Sequence, residues 1–201
     1  MDNAVALVQA YLRVHGYVPT SDGPMLEVVR TQNRPATGLD VLAVRLADEH
    51  AKAGTRRIVS DRSVRPDPVL ACDRGRNEML IGEIKEGRAS LNKGARNPSV
   101  LAAAMRRFGC CSPEEADSAS RELRRRGEVQ VAAGHRVRLF AFGSQVEQRT
   151  SGYRQVALGH IASFLERLLR DRWSELHHAQ IKDPALGFLL TLEKARRGQD
   201  D

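Results

Sequence analysis

The chain has 201 residues, of which 41% are hydrophobic, and this is enough apolar material for one domain with its own core. Lys and Arg outnumber Asp and Glu by 32 to 25, so the formal net charge is +7. This excess favours an anionic partner, first nucleic acid and then a membrane surface. No apolar run approaches the roughly 18 residues of a membrane-spanning helix, so we expect no membrane insertion. We also expect no secretory signal, because no basic stretch precedes an apolar one near Met1.

The first half of the chain predicts one helix followed by three strands. Apolar residues recur at helical spacing over residues 4–16, and Gly16 is a plausible helix end. The three strands are predicted at 25–30, 39–46 and 79–85. Between the second and third strands, residues 47–77 show little periodicity and predict an inserted loop. Within that loop, 69–72 is a candidate short strand, turned by 73–77.

The second half of the chain alternates helices with strands. Ser112, Pro113 and Glu115 are typical of a helix start, and Gly127 of the end of that helix. The other predicted helices are 98–108, 159–172, 173–180 and 185–196, and the predicted strands are 129–131, 137–142 and 153–158. A small winged-helix-like reader over residues 112–142 is an alternative to a simple crossover packed on the sheet.

These elements predict an α/β fold, with a mixed central β-sheet flanked by helices. The first three strands are close in sequence, so we expect an antiparallel meander, and the helices then return the chain to another strand. We predict an α/β core over residues 1–158, with the inserted loop at 47–77. Residues 159–201 are then a C-terminal helical extension packed on the core. Its last helix is a candidate contact for a homodimer or a larger complex.

The stretch 79–87, MLIGEIKEG, ends an apolar strand with charged residues. Side chains two residues apart on a strand share a face, so Glu83 and Lys85 project to the same side. A carboxylate holds a hard cation through oxygen, and an ammonium beside it steadies an attacking water or a developing phosphate charge. The pair therefore predicts metal-assisted hydrolysis. The alternative is an ion pair at an exposed strand end, which contributes little energy.

A second acid, Asp40, interrupts the apolar strand 39–46. If this strand runs antiparallel to 79–85 with Leu46 near Met79, Asp40 falls near Lys85 and at the same end as Glu83. A lone charge within an apolar strand is costly unless it is paired or bound to a metal, so we interpret the two acids together. Two carboxylates, with a main-chain carbonyl near Ile84, suit Mg²⁺ or Mn²⁺ better than Zn²⁺.

With Asp40 in GLDVLAVRL and with Glu83 and Lys85 in LIGEIKEG, the chain resembles the PD-(D/E)XK, or restriction-endonuclease-like, nuclease superfamily. The resemblance covers about residues 4–143, and the order of elements carries it as much as the short motif does. It implies an αβββαβ core with extra C-terminal helices. It also implies a Mg²⁺-dependent nuclease in which Asp40 and Glu83 bind the metal and Lys85 positions or activates the nucleophilic water.

The resemblance leaves the remaining metal ligands open. The family takes a further acid from its first helix or strand, and Glu27 is the candidate here; the alternative is a solvent-facing strand residue. Asp67, between Pro66 and Pro68, rivals Asp40, because a turn near Gly75 would set it opposite Glu83. We prefer Asp40, because prolines do not donate to a strand ladder.

Basic residues beyond the motif are candidate phosphate contacts: Lys93, Arg96, Arg106 and Arg107. The alternative for them is a solvated basic helix face. We expect DNA as the substrate, in preference to RNA. A second hypothesis is a catalytically inactive nuclease-like module that binds nucleic acid or a protein.

The chain contains none of the motifs of several other classes. Its three cysteines are Cys72, Cys110 and Cys111, and no Cys-x-x-Cys occurs, so neither a zinc ribbon nor a thioredoxin-like motif is supported. No Walker-type glycine loop, Gly-x-Ser-x-Gly or Rossmann fingerprint is present. A reducing, cytoplasmic setting fits this cysteine usage best.

Overall fold

The computed structural model describes residues 2–20, 39–47, 64–148 and 152–198. Its helices are α1 (Asn3–Val14), α2 (Pro98–Arg107), α3 (Pro113–Arg126), α4 (Leu158–Asp171), α5 (Trp173–Leu176) and α6 (Pro184–Arg197). Its strands are β1 (Val18–Thr20), β2 (Val41–Arg45), β3 (Glu78–Arg88), β4 (Glu128–Gln130), β5 (Arg136–Gln145) and β6 (Arg154–Ala157).

The strands form one six-stranded sheet of mixed direction. β1, β2 and β3 are antiparallel neighbours, and β5 runs parallel to β3. Both β4 and β6 pair with β5, β4 antiparallel along its first residues and β6 parallel along its later ones. The predicted α/β class with a mixed, helix-flanked sheet is confirmed.

Helices cover both faces of the sheet, and the alternation of β3 shows which helix lies on which face. Met79 and Ile81 pack in one hydrophobic cluster with residues of α2 and α3. Leu80 and Ile84 point the other way, into a second cluster with residues of α1 and α4. The two sides of β3 therefore carry separate cores, and any side chain of β3 can be assigned to one face.

Local sequence signals set the ends of α3 as predicted. The hydroxyl of Ser112 accepts a hydrogen bond from the amide of Glu115, and Pro113 occupies the first helical position. Gly127 ends the helix with a left-handed φ of 79°, a conformation that favours glycine. Here its missing side chain also matters, because a Cβ would lie 2.7 Å from the backbone at Gly152 and Tyr153.

The C-terminal helices pack on the α1 side of the sheet. Ile161 and Leu165 of α4 belong to the same buried cluster as α1, and α6 contacts both α1 and α4. Phe188 of α6 is 63% exposed. Among the described helices, none has the length and apolar character that crossing a membrane requires.

Two stretches of the first half, 18–20 and 69–72, differ from the prediction. β1 follows α1 directly at Val18–Thr20, where no strand was expected, while the predicted strand 25–30 lies outside the described residues. Residues 69–72 form no strand. The amides of Leu70 and Ala71 donate to the carbonyl of Asp67 in a turn, and Ala71 has a φ of 47°. Of the predicted loop, 64–77 is irregular as expected, and 48–63 lies outside the described residues.

The β2–β3 pairing is antiparallel as predicted, but its register differs by two residues. Val44, rather than Leu46, is the partner of Met79, and Val41 pairs with Gly82. Continued by one residue, this register sets Asp40 level with Glu83 rather than Lys85. A slip of two residues keeps every side chain on its face, so the hydrophobic pattern does not distinguish the two registers.

The structure also decides between the two interpretations of residues 112–142. β5 bonds to β3, β4 and β6 and is internal to the sheet. Leu123 of α3 is fully buried in the cluster that this sheet shares with α2. The segment is therefore the crossover of the main fold and not a separate winged-helix-like reader.

A buried charge cluster anchors the first residue of β3. Glu78 is 2% exposed, and its carboxylate lies 2.7 Å from the Arg45 guanidinium and 3.2 Å from that of Arg138. The Tyr17 hydroxyl donates to the same carboxylate at 2.7 Å. Arg138, fully buried, also donates to the carbonyl of Leu70 at 2.6 Å. The cluster ties β1, β2, β3, β5 and the 64–77 segment together.

Replacing Glu78 by Gln is expected to destabilise the fold by about 3–5 kcal/mol, because two buried guanidinium groups lose their counter-charge. The matched control is Glu122→Gln, which removes an exposed pair with Arg126 and should cost no more than about 0.5 kcal/mol. Urea unfolding at pH 7 measures both. Equal losses in the two variants would contradict the anchoring role of Glu78.

Candidate active site

Asp40, Glu83 and Lys85 lie on one face of the sheet. Glu83 and Lys85 continue the alternation of Met79 and Ile81, and so face the α2 and α3 side. Asp40 comes just before β2, two residues ahead of Leu42, and residues two apart on an extended chain face the same side. Leu42 packs in that cluster, so Asp40 faces it too. The structure therefore brings together the three residues that the sequence motif predicts.

The backbone of β3 holds the Asp40 carboxylate in place. Its Oδ2 accepts a hydrogen bond from the amide of Ile84 at 2.8 Å, across the end of the β2–β3 pair. This bond fixes one carboxylate oxygen of a half-buried residue at the level of Glu83. It leaves the negative charge of Asp40 close enough to act on the neighbouring carboxyl group.

Glu83 is buried and only half satisfied. The side chain is 2% exposed, and its Oε2 accepts a hydrogen bond from Nδ2 of Asn92 at 2.6 Å. Its Oε1 is buried and has no hydrogen-bond partner among the described residues. An unsatisfied buried carboxylate oxygen is costly and requires an explanation, such as a strained functional site or an ion.

The pKa of Glu83 also shows that the charged form of its carboxyl group is poorly stabilised. Burial raises the pKa of its carboxyl group to about 8, and the negative charge of Asp40 adds to the rise. The ammonium of Lys85 and, more weakly, the backbone amide of Asp40 oppose this shift without cancelling it. Glu83 is therefore largely protonated at neutral pH, and a strongly perturbed acid of this kind is typical of functional sites.

Lys85 is partly buried, and its ammonium is held by a neighbouring hydroxyl. Nζ donates to Oγ of Ser90 at 3.0 Å, five residues further along the chain. The ammonium therefore stays on the face that carries Glu83 instead of extending into solvent. In this place it can attract an anionic group or orient a water molecule.

The donor set suits a hard divalent cation. Oxygen ligands from carboxylates are those that Mg²⁺ and Mn²⁺ prefer, and Mg²⁺ is usually held by one or two carboxylates while it keeps several waters. Asp40 and Glu83 supply two. Within the described ranges, no group of three or more His, Cys, Asp and Glu residues is placed to hold a metal. Glu27, the candidate for a further acid, lies outside them.

Asp67, the rival second acid, does not join this pair. Its Oδ2 accepts hydrogen bonds from the Tyr11 hydroxyl at 2.9 Å and from Nε2 of His160 at 2.6 Å. These partners belong to α1 and α4, which cover the opposite face of the sheet. The physical reason is the turn at 67–71, which directs the chain towards α1 instead of into a strand beside β3.

The carboxyl group of Asp67 is also electrostatically satisfied, unlike that of Glu83. Burial alone would raise its pKa, but hydrogen bonds from the Val69 amide, His160 and Tyr11 outweigh burial and hold the pKa below its usual range. A carboxylate with three donors needs no cation. Asp67 therefore pins α1 and α4 to the 64–77 segment.

The four basic candidates differ in their surroundings. Lys93 and Arg96 are exposed on the segment that follows Ser90 and Asn92. The Arg96 guanidinium lies 5.6 Å from the ring centre of Tyr153. At the C-terminal end of α2, the Arg106 guanidinium pairs with Asp117 at 2.7 Å, and Arg107 is exposed.

The sequence interpretation missed Ser90 and Asn92, the two side chains that touch the motif. Both follow Lys85 within seven residues, so a search of the segment after the strand for short polar side chains could have selected them. Their contacts depend on a backbone reversal after β3 that no residue pattern shows directly.

Comparisons of the chain with protein-family models, with curated proteins and with solved structures found no significant match. The interpretation of the site therefore depends on its own geometry and on the order of the elements that carry it.

Substituting Gln for Glu83 is expected to remove a pH dependence of stability. The unfolded chain releases the Glu83 proton near pH 4.5, whereas the folded chain keeps it to about pH 8. The folded state thus binds more protons in this window, and the wild-type free energy of unfolding falls as pH rises through it. Relative to Glu83→Gln, wild type should lose a few kcal/mol between pH 4.5 and 8.

Urea unfolding at several pH values, in chelator, measures this difference. The matched control is Glu86→Gln, an exposed position on the same strand, which should follow the wild-type profile. Parallel profiles for wild type and Glu83→Gln would show that the Glu83 pKa is not raised.

Proposed function

We propose that the protein is a nuclease that hydrolyses phosphodiester bonds, most readily in DNA, with Mg²⁺ or Mn²⁺ as cofactor. One observation carries the proposal: the unpartnered buried Oε1 of Glu83 beside Asp40, with the Lys85 ammonium on the same face. This set offers oxygen donors from two acids within one largely buried site. The Lys85 ammonium is bonded to Ser90. In a purely structural ion pair, we would expect it to be bonded to the Glu83 carboxylate.

Each residue has a distinct role in this proposal. Asp40 and Glu83 hold the cation through their carboxylates. When bound, a divalent cation lowers the pKa of a coordinated water and offsets charge on the phosphate oxygens. Lys85, fixed by Ser90, orients the attacking water or stabilises the negative charge that develops on the phosphate.

The order of elements supports the same interpretation. α1, the antiparallel β1–β2–β3, the helices α2 and α3, and the parallel β5 match the αβββαβ order that the resemblance to PD-(D/E)XK nucleases implies, with the short strand β4 inserted before β5 at the end of the strand order. Asp40 comes before the second strand, and Glu83 and Lys85 lie on the third. In this core the C-terminal helices α4 and α6 are additions.

The positive net charge supports a nucleic-acid partner, and the free cysteines support a cytoplasmic location. The net charge of +7 favours a polyanion, and Lys93 and Arg96 are exposed within four residues of Asn92 in the sequence, where they can contact phosphates. The cysteines Cys72, Cys110 and Cys111 are all free, which fits a reducing cytoplasm. Binding through such contacts should weaken as salt rises.

Asp40→Asn and Lys85→Ala are each expected to lower the rate of DNA cleavage about 100-fold or more, because each removes a charge used at the reacting phosphate. The assay uses supercoiled plasmid and labelled single-stranded DNA, with Mg²⁺, Mn²⁺ or chelator. Asp67→Asn is the matched control, since it makes the same chemical change on the opposite face of the sheet. It should keep activity within a few-fold while lowering thermal stability.

Three other results would change the interpretation. Cleavage lost in Asp67→Asn but kept in Asp40→Asn would reverse the choice of acid. Salt-sensitive DNA binding without cleavage, unchanged in Lys85→Ala, would favour an inactive binding module. Neither cleavage nor binding would contradict both nucleic-acid hypotheses and indicate a protein partner.

A further inference from the structure

The chain reverses direction after β3 in a way that returns it to the acidic pair. The register of β3 with β5 shifts between Lys85 and Arg88, so β3 holds one extra residue there as a bulge. Ala89 then donates its amide to the carbonyl of Gln145 at 2.8 Å. The bulge redirects the chain immediately after the catalytic lysine of the proposed site.

Gly143 makes room for this reversal. It is the partner of Lys85 on β5, and a Cβ at this position would lie 2.5 Å from the amide nitrogen of Ala89 and 2.7 Å from its Cα. Both neighbours are backbone atoms that cannot rotate away. Any residue other than glycine would therefore displace the chain at Ala89.

A second set of contacts fixes the segment from the side of β6. Nε2 of Gln155 donates to the carbonyl of Ala89 at 2.8 Å, and Oε1 of Gln155 accepts from the amide of Glu147 at 2.6 Å. Ala89 and Leu91 are buried in the α2 and α3 cluster. Residues 89–92 are thus held by packing and by hydrogen bonds on both sides.

The polar side chains of this segment meet both functional groups of the site. Ser90 accepts from the Lys85 ammonium, and Asn92 donates from Nδ2 to Oε2 of Glu83. Oδ1 of Asn92 accepts from the amide of Ala95 at 2.8 Å, and this bond sets which end of the amide group faces Glu83. The amide nitrogen is therefore directed at Oε2 of Glu83.

We propose that residues 89–92 form a positioning segment for the site, in which Ser90 and Asn92 are the positioning residues. Gly143 leaves the space that the backbone of this segment occupies. The inference rests on the proposed function. Asn92 occupies Oε2 of Glu83 and leaves Oε1 for the cation. Ser90 keeps the Lys85 ammonium beside the pair without neutralising either acid.

Binding of Mn²⁺ in the absence of nucleic acid, measured by calorimetry, tests the role of Asn92. Asn92→Ala should weaken binding roughly 10- to 100-fold, as loss of a partner to a metal ligand typically does. Asn97→Ala is the matched control, because it removes the same side chain from the cap of α2, where it contacts Ser99. This control should lower the unfolding temperature but not the affinity.

The role of Ser90 is tested by cleavage at saturating Mg²⁺. Ser90→Ala should lower kcat more than it raises KM, and Ser90→Thr, which keeps a hydroxyl, should restore most of the loss. A loss of folded protein alone would not produce this rescue with unchanged Mn²⁺ affinity.

Gly143→Ala is a third test, and it should weaken Mn²⁺ binding at least as much as Asn92→Ala. Gly159→Ala, where a Cβ meets nothing within 4 Å, is its control and should behave as wild type. Wild-type affinity in both Asn92→Ala and Gly143→Ala would overturn the positioning role. Failure of wild type itself to bind Mn²⁺ would instead contradict the proposed function, and the inference with it.

Discussion

The interpretation of this molecule depends on one unsatisfied carboxylate oxygen. Glu83 is buried on β3 with Asn92 on Oε2, nothing on Oε1 among the described residues, and the charge of Asp40 beside it. Burial disfavours the charged form of this carboxyl group, so the site costs stability at pH values where the unfolded chain ionises Glu83. An apolar residue at this position would give a more stable strand end.

Glu78, five residues earlier on the same strand, also has an Oε1 without a hydrogen-bond partner among the described residues, but it differs from Glu83 in the positive charges around it. Glu78 is as buried as Glu83, but Arg45, Arg138 and the Tyr17 hydroxyl surround its carboxylate. It faces the α1 and α4 side, where it connects strands. Glu83 faces the other side, where one ammonium is present and is bonded to Ser90 rather than to the acid. One strand thus carries an acid that connects strands and the acid of the proposed site.

Sequence patterns predicted most elements of the described fold, since apolar periodicity and caps such as Ser112 and Gly127 act locally. They also predicted that Glu83 and Lys85 share a face, because side chains alternate along one strand, and that Asp40 lies at the same end of the strand pair as Glu83. They could not fix the register itself, since a two-residue slip preserves that alternation. Nor could they place Asp67, because its contacts with Tyr11 and His160 depend on how two distant helices pack.

The contribution of residues 89–92 was hidden for a related reason. Ser90 and Asn92 are ordinary polar residues in the sequence, and only the bulge after Lys85 turns them back onto the site. That reversal depends on Gly143, more than fifty residues away, whose significance is the absence of a side chain. Long-range backbone contacts of this kind leave no periodic signal.

The most direct test of the central claim is the anomalous difference density of a crystal grown with Mn²⁺. The account predicts one ordered Mn²⁺ bound to Oε1 of Glu83 and to the Asp40 carboxylate, at about 2.1 Å as expected for a small hard cation. It also predicts that Asn92 stays on Oε2. Crystals with no density at this position, or with Mn²⁺ bound at Asp67 instead, would contradict it.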